Sequence, residues 1–111
     1  MGWRIAKAMR FIKELCEFIK EETQDACKYA KLAVQLKAEG KPNAAQLFYE
    51  IANQEVNHAG KIHELAVKEV NAAKASGTEV PEGMEQIWRW KHDEMMEDMA
   101  HAKSVLSLYS K

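Results

Sequence analysis

Glu55 and His58 stand three residues apart in Asn53-Gln54-Glu55-Val56-Asn57-His58-Ala59, inside a stretch whose apolar residues recur at helical spacing. An i, i+3 pair projects from one side of a helix, so a carboxylate and an imidazole reach together toward whatever that side packs on. Burying a bare carboxylate is costly, and the cost is offset by protonation, an ion pair or a bound cation. Glu-x-x-His is the pair that carboxylate-bridged di-metal helix bundles use. Alone it arises often by chance in a helical protein rich in Glu, so the surrounding elements must decide.

Steps of three and four from Ile5 give Ala8, Ile12, Leu15, Ile19, Glu22, Ala26, Tyr29, Ala33 and Leu36, a seam in which Glu22 is the one charged member. The same steps in the middle of the chain give Phe48, Ile51, Glu55, His58, Ile62 and Leu65, and near the end Ile87, Trp90, Glu94, Glu97, His101, Ser104 and Leu108. Each seam is apolar toward its ends and carries ligand-type residues near its centre. Turn residues cluster only at Gly40-Lys41-Pro42-Asn43 and from Ser76 to Gly83, which divides the chain into three long helices. If the first two are antiparallel, residues whose numbers sum to about 80 share a height, because both helices rise about 1.5 Å per residue. Glu22 is then level with His58. The second turn sets His101 about level with Asn57 and Glu97 one turn away, so the polar breaks converge in one layer.

The expected fold is all-α, a single domain over residues 1–111 made of three long antiparallel helices. A 47% hydrophobic and 30% charged composition, rich in Ala, Glu, Lys, Leu and Met, fits an ordinary globular balance. A formal net charge of −1 offers no electrostatic case for nucleic acid, and no apolar run approaches a membrane span. Basic and apolar residues interleave from Met1 to Lys7 without a signal-peptide core, and Ala6 breaks the myristoylation pattern, so a cytoplasmic location is expected. Cys16 and Cys27, eleven residues apart on one helix, are separated by roughly 16 Å of rise and cannot bridge each other.

From Trp3 to Ala38 the first helix would run roughly 54 Å, against a radius of gyration near 13 Å for a compact domain of about 100 residues. Either it breaks, or another subunit completes its apolar faces. Trp3, Phe11, Phe18 and Trp88 supply aromatic surface beyond one seam, which points to a homo-oligomer, a dimer at least. Tyr29 is read as an aromatic core filler with a place beside the site in reach. His63, about 140° around the helix from His58, and His92 are read as surface histidines. Asp98 forms a weaker Asp-x-x-His with His101. The series Arg4, Lys7, Arg10 and Lys13 reads as a solvated helix face, and Met84, Met95, Met96 and Met99 as core or interface filling.

The stretch from Glu22 to Tyr29, the spacing from Glu22 to Glu55, and Phe48-Tyr49-Glu50-Ile51-Ala52-Asn53-Gln54-Glu55-Val56-Asn57-His58-Ala59 together resemble the rubrerythrin branch of the ferritin-like superfamily, over about Lys13 to Ala66. The resemblance implies that Glu22 is the ligand of the first helix and Glu55 with His58 those of the second. It also matches Glu94-Met95-Met96-Glu97 to the family's third-helix Glu-x-x-Glu, while His101 stands outside that pattern. A full member carries a fourth helix with another Glu-x-x-His, and the sequence ends at Lys111. Three arrangements are open. A second chain supplies its own Glu22, Glu55 and His58 across a two-fold axis, as the similarity to encapsulated ferritins suggests; the third helix closes the site with Glu94 or Glu97 as carboxylate ligands and His101 in place of the missing imidazole; or the site is incomplete and holds one metal or none.

Carboxylate oxygens with one or two imidazoles favour iron, with manganese as the other candidate. The expectation is a ferritin-like di-iron protein with ferroxidase or peroxide- or oxygen-reducing activity, with no catalytic side chains beyond the metal ligands. The alternative is a metal-free helical interaction module in which the same Glu and His residues form a buried network.

Overall fold

No proline interrupts residues 2–38, and alanine, leucine, lysine and glutamate, all strong helix formers, dominate them. They form one unbroken helix, α1 (Gly2–Ala38), followed by α2 (Pro42–Ala75) and α3 (Glu82–Tyr109). The computed structural model describes residues 2–76 and 82–110. The side chains of residues 2–5 and of Glu82 lie outside the description, and with them the places read for Trp3, Arg4 and Ile5 and for the turn at 77–81. Among the described residues, no helix is long and apolar enough to cross a membrane.

The first turn is built by Gly40, whose φ of 78° is the left-handed conformation that ends a helix without a Cβ penalty. Its N–H donates to Lys37 O at 3.2 Å and Lys41 N–H donates to Leu36 O at 2.9 Å, the paired bonds of a Schellman cap. Pro42 then opens α2 where its missing N–H costs nothing.

Two core clusters lie along the bundle. Leu15, Ile19, Ala59, Ala66 and Met95 form one, with Cys16, Ile62 and Trp88 packed on it. Ala26, Ala30, Ala52, Val56, Ala102, Val105 and Leu106 form the other, beside Cys27, Tyr29 and Tyr49. Small residues are prominent where α1 and α2 pack: Ala26 and Ala30 cluster with Ala52, while Ala59 and Ala66 lie against Leu15 and Ile19, and these alanines, with Ala33 and Ala45, are fully buried. Side chains this short let the two backbones approach closely. Ile19 is the largest side chain with no exposed surface, and Ile19→Ala should therefore cost about 2–5 kcal/mol of unfolding free energy, read from urea denaturation.

The buried faces of α2 and α3 differ from the seams read in the sequence. On α2 the alanine row carries the burial, with Phe48, Ile51, Glu55 and Ile62 half-buried at its edge and His58 and Leu65 exposed. On α3 the buried residues are Met95, Ala102, Val105 and Leu106, whereas Ile87 and Trp90 are 56% and 66% exposed and Glu97, His101, Ser104 and Leu108 also face outward. Short and flexible side chains fit against α1 where the bulkier seam would not.

The molecule is a rod of 59 × 18 × 15 Å with a radius of gyration of 17.3 Å, above the roughly 13 Å of a compact chain of this size. α1 packs mainly on α2, α3 mainly on α1, and α2 and α3 meet only lightly. The end of α3 is clasped to the first turn. Lys37 Nζ donates to Tyr109 O at 2.6 Å, the Tyr109 hydroxyl donates to Gln46 Oε1 at 2.9 Å, and the Tyr49 and Tyr109 rings stack at 4.3 Å.

Candidate metal centre

Antiparallel pairing of α1 and α2 brings Glu22 level with His58, as the register arithmetic requires. His58 Nδ1 lies 3.6 Å from Glu22 Oε2. With Glu55 one turn back on α2, one ligand atom each from Glu22, Glu55 and His58 falls within a span of 4.8 Å. Along α1, Glu22 falls between Ile19 of one core cluster and Ala26 of the other, roughly 100° or more around the helix from Thr23 and Cys27, which share a hollow with His101 of α3.

Its electrostatics are those of a site lacking positive charge. Glu22 Oε2 is buried without a hydrogen-bond partner, and 3.6 Å to the imidazole is too long for one. The Glu55 carboxyl is pushed up to about 7, first by hydrogen bonding to Glu22, then by burial and by the charges of Glu22 and Asp25, with His58 pulling the other way. Two carboxylates this close share a proton until a cation replaces it. This orphaned acceptor, the raised carboxyl and the facing imidazole suit a bound divalent metal.

The raised value fixes a pH dependence. Folded metal-free protein holds a proton on Glu55 that the unfolded chain releases near 4.5, so this stabilising contribution is complete below about 4.5 and lost as pH rises through about 7. Thermal melts of metal-free protein should show this decline, and metal uptake should strengthen over the same rise because binding displaces the proton.

Three other candidates stand apart from the trio. Glu94 Oε1 lies 3.9 Å from Lys20 Nζ. Glu97 is exposed, and His101 lines a hollow with Thr23, Cys27 and Asp98, roughly 100° or more around α1 from Glu22. Among the described residues, Glu22, Glu55 and His58 are the sole group of three or more His, Cys, Asp or Glu side chains gathered closely enough for an ion. Tyr29 stacks on Phe48 at 5.9 Å and forms a wall along the same flank. Cys16 and Cys27 are both unpaired and half-buried.

A family model described as Rubrerythrin matches residues 13–103. The chain belongs to the rubrerythrin family. The match extends the resemblance seen over Lys13 to Ala66 through most of α3, and an all-helical bundle is consistent with the ferritin-like superfamily to which these proteins belong. Neither curated proteins nor solved structures give a match. As a rubrerythrin-family chain with a gathered Glu/His group, the protein is suited to the iron that the family usually binds.

The sequence reading missed one pair of residues. His63 and His92, read as surface histidines, are half-buried and pack against each other between α2 and α3, ring centroids 5.0 Å apart. Their offset from the ligand seam was visible, but what would cover that flank was not.

Proposed function

We propose that the protein is a di-metal oxidoreductase, a ferroxidase or a peroxide or oxygen reductase, whose site forms when two copies of the Glu22, Glu55 and His58 trio face each other across a two-fold axis. One observation carries this reading. The trio lies on a face whose apolar residues Phe11, Phe18, Leu47 and Leu65 are exposed in the single chain. At 100° per residue, Phe11, Phe18, Glu22 and Tyr29 fall within about 40° around α1, and Leu47, Ile51, Glu55, His58, Ile62 and Leu65 within about 80° around α2. Phe18 is 50% exposed and Leu47 53%. Two-fold pairing of this face would bury those side chains and build a four-helix core from two α1–α2 pairs.

The donor count agrees. Di-metal carboxylate bundles use a Glu from each of two helices and a Glu-x-x-His from each of two others. Two copies of the trio supply that complement without help from α3.

Bound iron, or manganese with the same hard-oxygen preference, would supply the one-electron chemistry that oxygen or peroxide reduction needs. The protein's own groups prepare for it. Glu22 and Glu55 hold one proton between them, Glu55 would give it up near neutral pH as a cation enters, and His58 presents Nδ1 toward the same point. Phe18, Ile62 and Phe48 would exclude bulk water once covered, which strengthens each electrostatic contact within.

Iron-reconstituted protein should carry about one tightly held iron per chain, the share expected of a site split between two chains. Elemental analysis finding no transition metal after reconstitution would reject the reading.

A further inference from the structure

His63 of α2 and His92 of α3 meet where those helices otherwise touch lightly, their rings tilted by 41° with centroids 5.0 Å apart. His63 Nε2 is buried and has no hydrogen-bond partner. The Trp88 ring packs on His92 at 5.6 Å, and His92 Nδ1 lies 4.0 Å from Asp93 Oδ1. Burial and the neighbouring His92 lower the basicity of His63, against a smaller opposing effect of Glu64, so the ring is held in the neutral, ligand-competent form.

A zinc–imidazole bond of about 2.0–2.1 Å places each ring centroid about 3.2 Å from the ion, and two rings at a tetrahedral angle then have centroids about 5 Å apart. The observed spacing meets that requirement. We propose that His63 and His92 form a two-histidine clamp for a borderline transition cation, Zn2+ in the first instance, which ties α3 to α2. The clamp is independent of the carboxylate centre: His63 lies about 140° around α2 from His58 and faces the opposite flank. Imidazole donors suit zinc, copper, nickel and iron, whereas the carboxylate-rich trio favours hard-oxygen metals such as iron or manganese. Among the described residues no acidic or thiol side chain joins the pair as a third ligand. The remaining positions fall to water, which a neighbouring 260 Å³ groove lined by Asn71, Trp88, His92 and Asp93 can hold. With two protein donors the ion would be held more loosely than in a structural site with four protein ligands.

Zn2+ titrated into metal-free wild-type protein should shift the imidazole NMR signals of His63 and His92 at micromolar concentration. It should shift them equally in His58→Ala, which disables the carboxylate centre. His63→Ala and His92→Ala should each weaken this binding about tenfold or more, with helix content and iron uptake unchanged. Signals of His63 and His92 that stay in place at millimolar Zn2+, or an affinity unaltered in His92→Ala, would overturn the proposal. The wild-type titration decides it even if His63→Ala does not fold.

Discussion

Glu55→Ala and His58→Ala should each abolish stoichiometric iron binding while leaving the metal-free helices intact or more stable. Glu55 keeps its proton to about pH 7 first through its hydrogen bond to Glu22 and then because burial and the neighbouring carboxylates oppose its charge, so above that pH removing it relieves a conflict in the empty site. His58 is exposed in the single chain and packs on little. A metal-free Glu/His network predicts the reverse, since breaking a buried ion pair costs about 3–5 kcal/mol. Metal analysis with melts of both metal-free variants separates the two. Large stability losses with unchanged iron would assign the trio to scaffold.

Aspartate at Phe11 and Phe18 should dissociate the protein and release its metal together. Both rings are at least 39% exposed in the single chain, yet lie on the face that carries Glu22. If a second copy covers them, each charged substitution removes an anchor of about 2 kcal/mol, a loss of roughly thirtyfold in association. Light scattering with metal analysis of each fraction should show iron falling in proportion to the monomer formed. Monomers that keep a full complement would place the whole site within one chain.

The helix boundaries and the α1–α2 register were legible because turn chemistry and rise per residue are local rules. Gly40 and Pro42 mark the turn, and a constant sum near 80 aligns Glu22 with His58. The faces were less legible. Seam counting favours large apolar residues, while the α1–α2 contact is made by alanines, so on α2 the buried row of Ala45, Ala52, Ala59 and Ala66 lies beside the one counted. The displaced residues, Phe48, Ile51 and Leu65 among them, lie half-buried or exposed beside that row. On α3 the count followed Ile87, Trp90, Glu94, Glu97 and His101, an outward stripe, because the packing partner that selects Met95, Ala102 and Leu106 is α1, whose side facing α3 no rule within α3 reveals. The His63–His92 contact was hidden for the same reason.

Iron-edge anomalous diffraction from crystals of iron-loaded protein tests the shared site most directly. The expected result is a peak held by Glu22, Glu55 and His58 with its two-fold mate about 3.5–4 Å away, in the range of two-metal centres, and with the mate's trio on a second chain. Iron ligated by one chain alone, through Glu94, Glu97 or His101, or no iron at the trio, would contradict it.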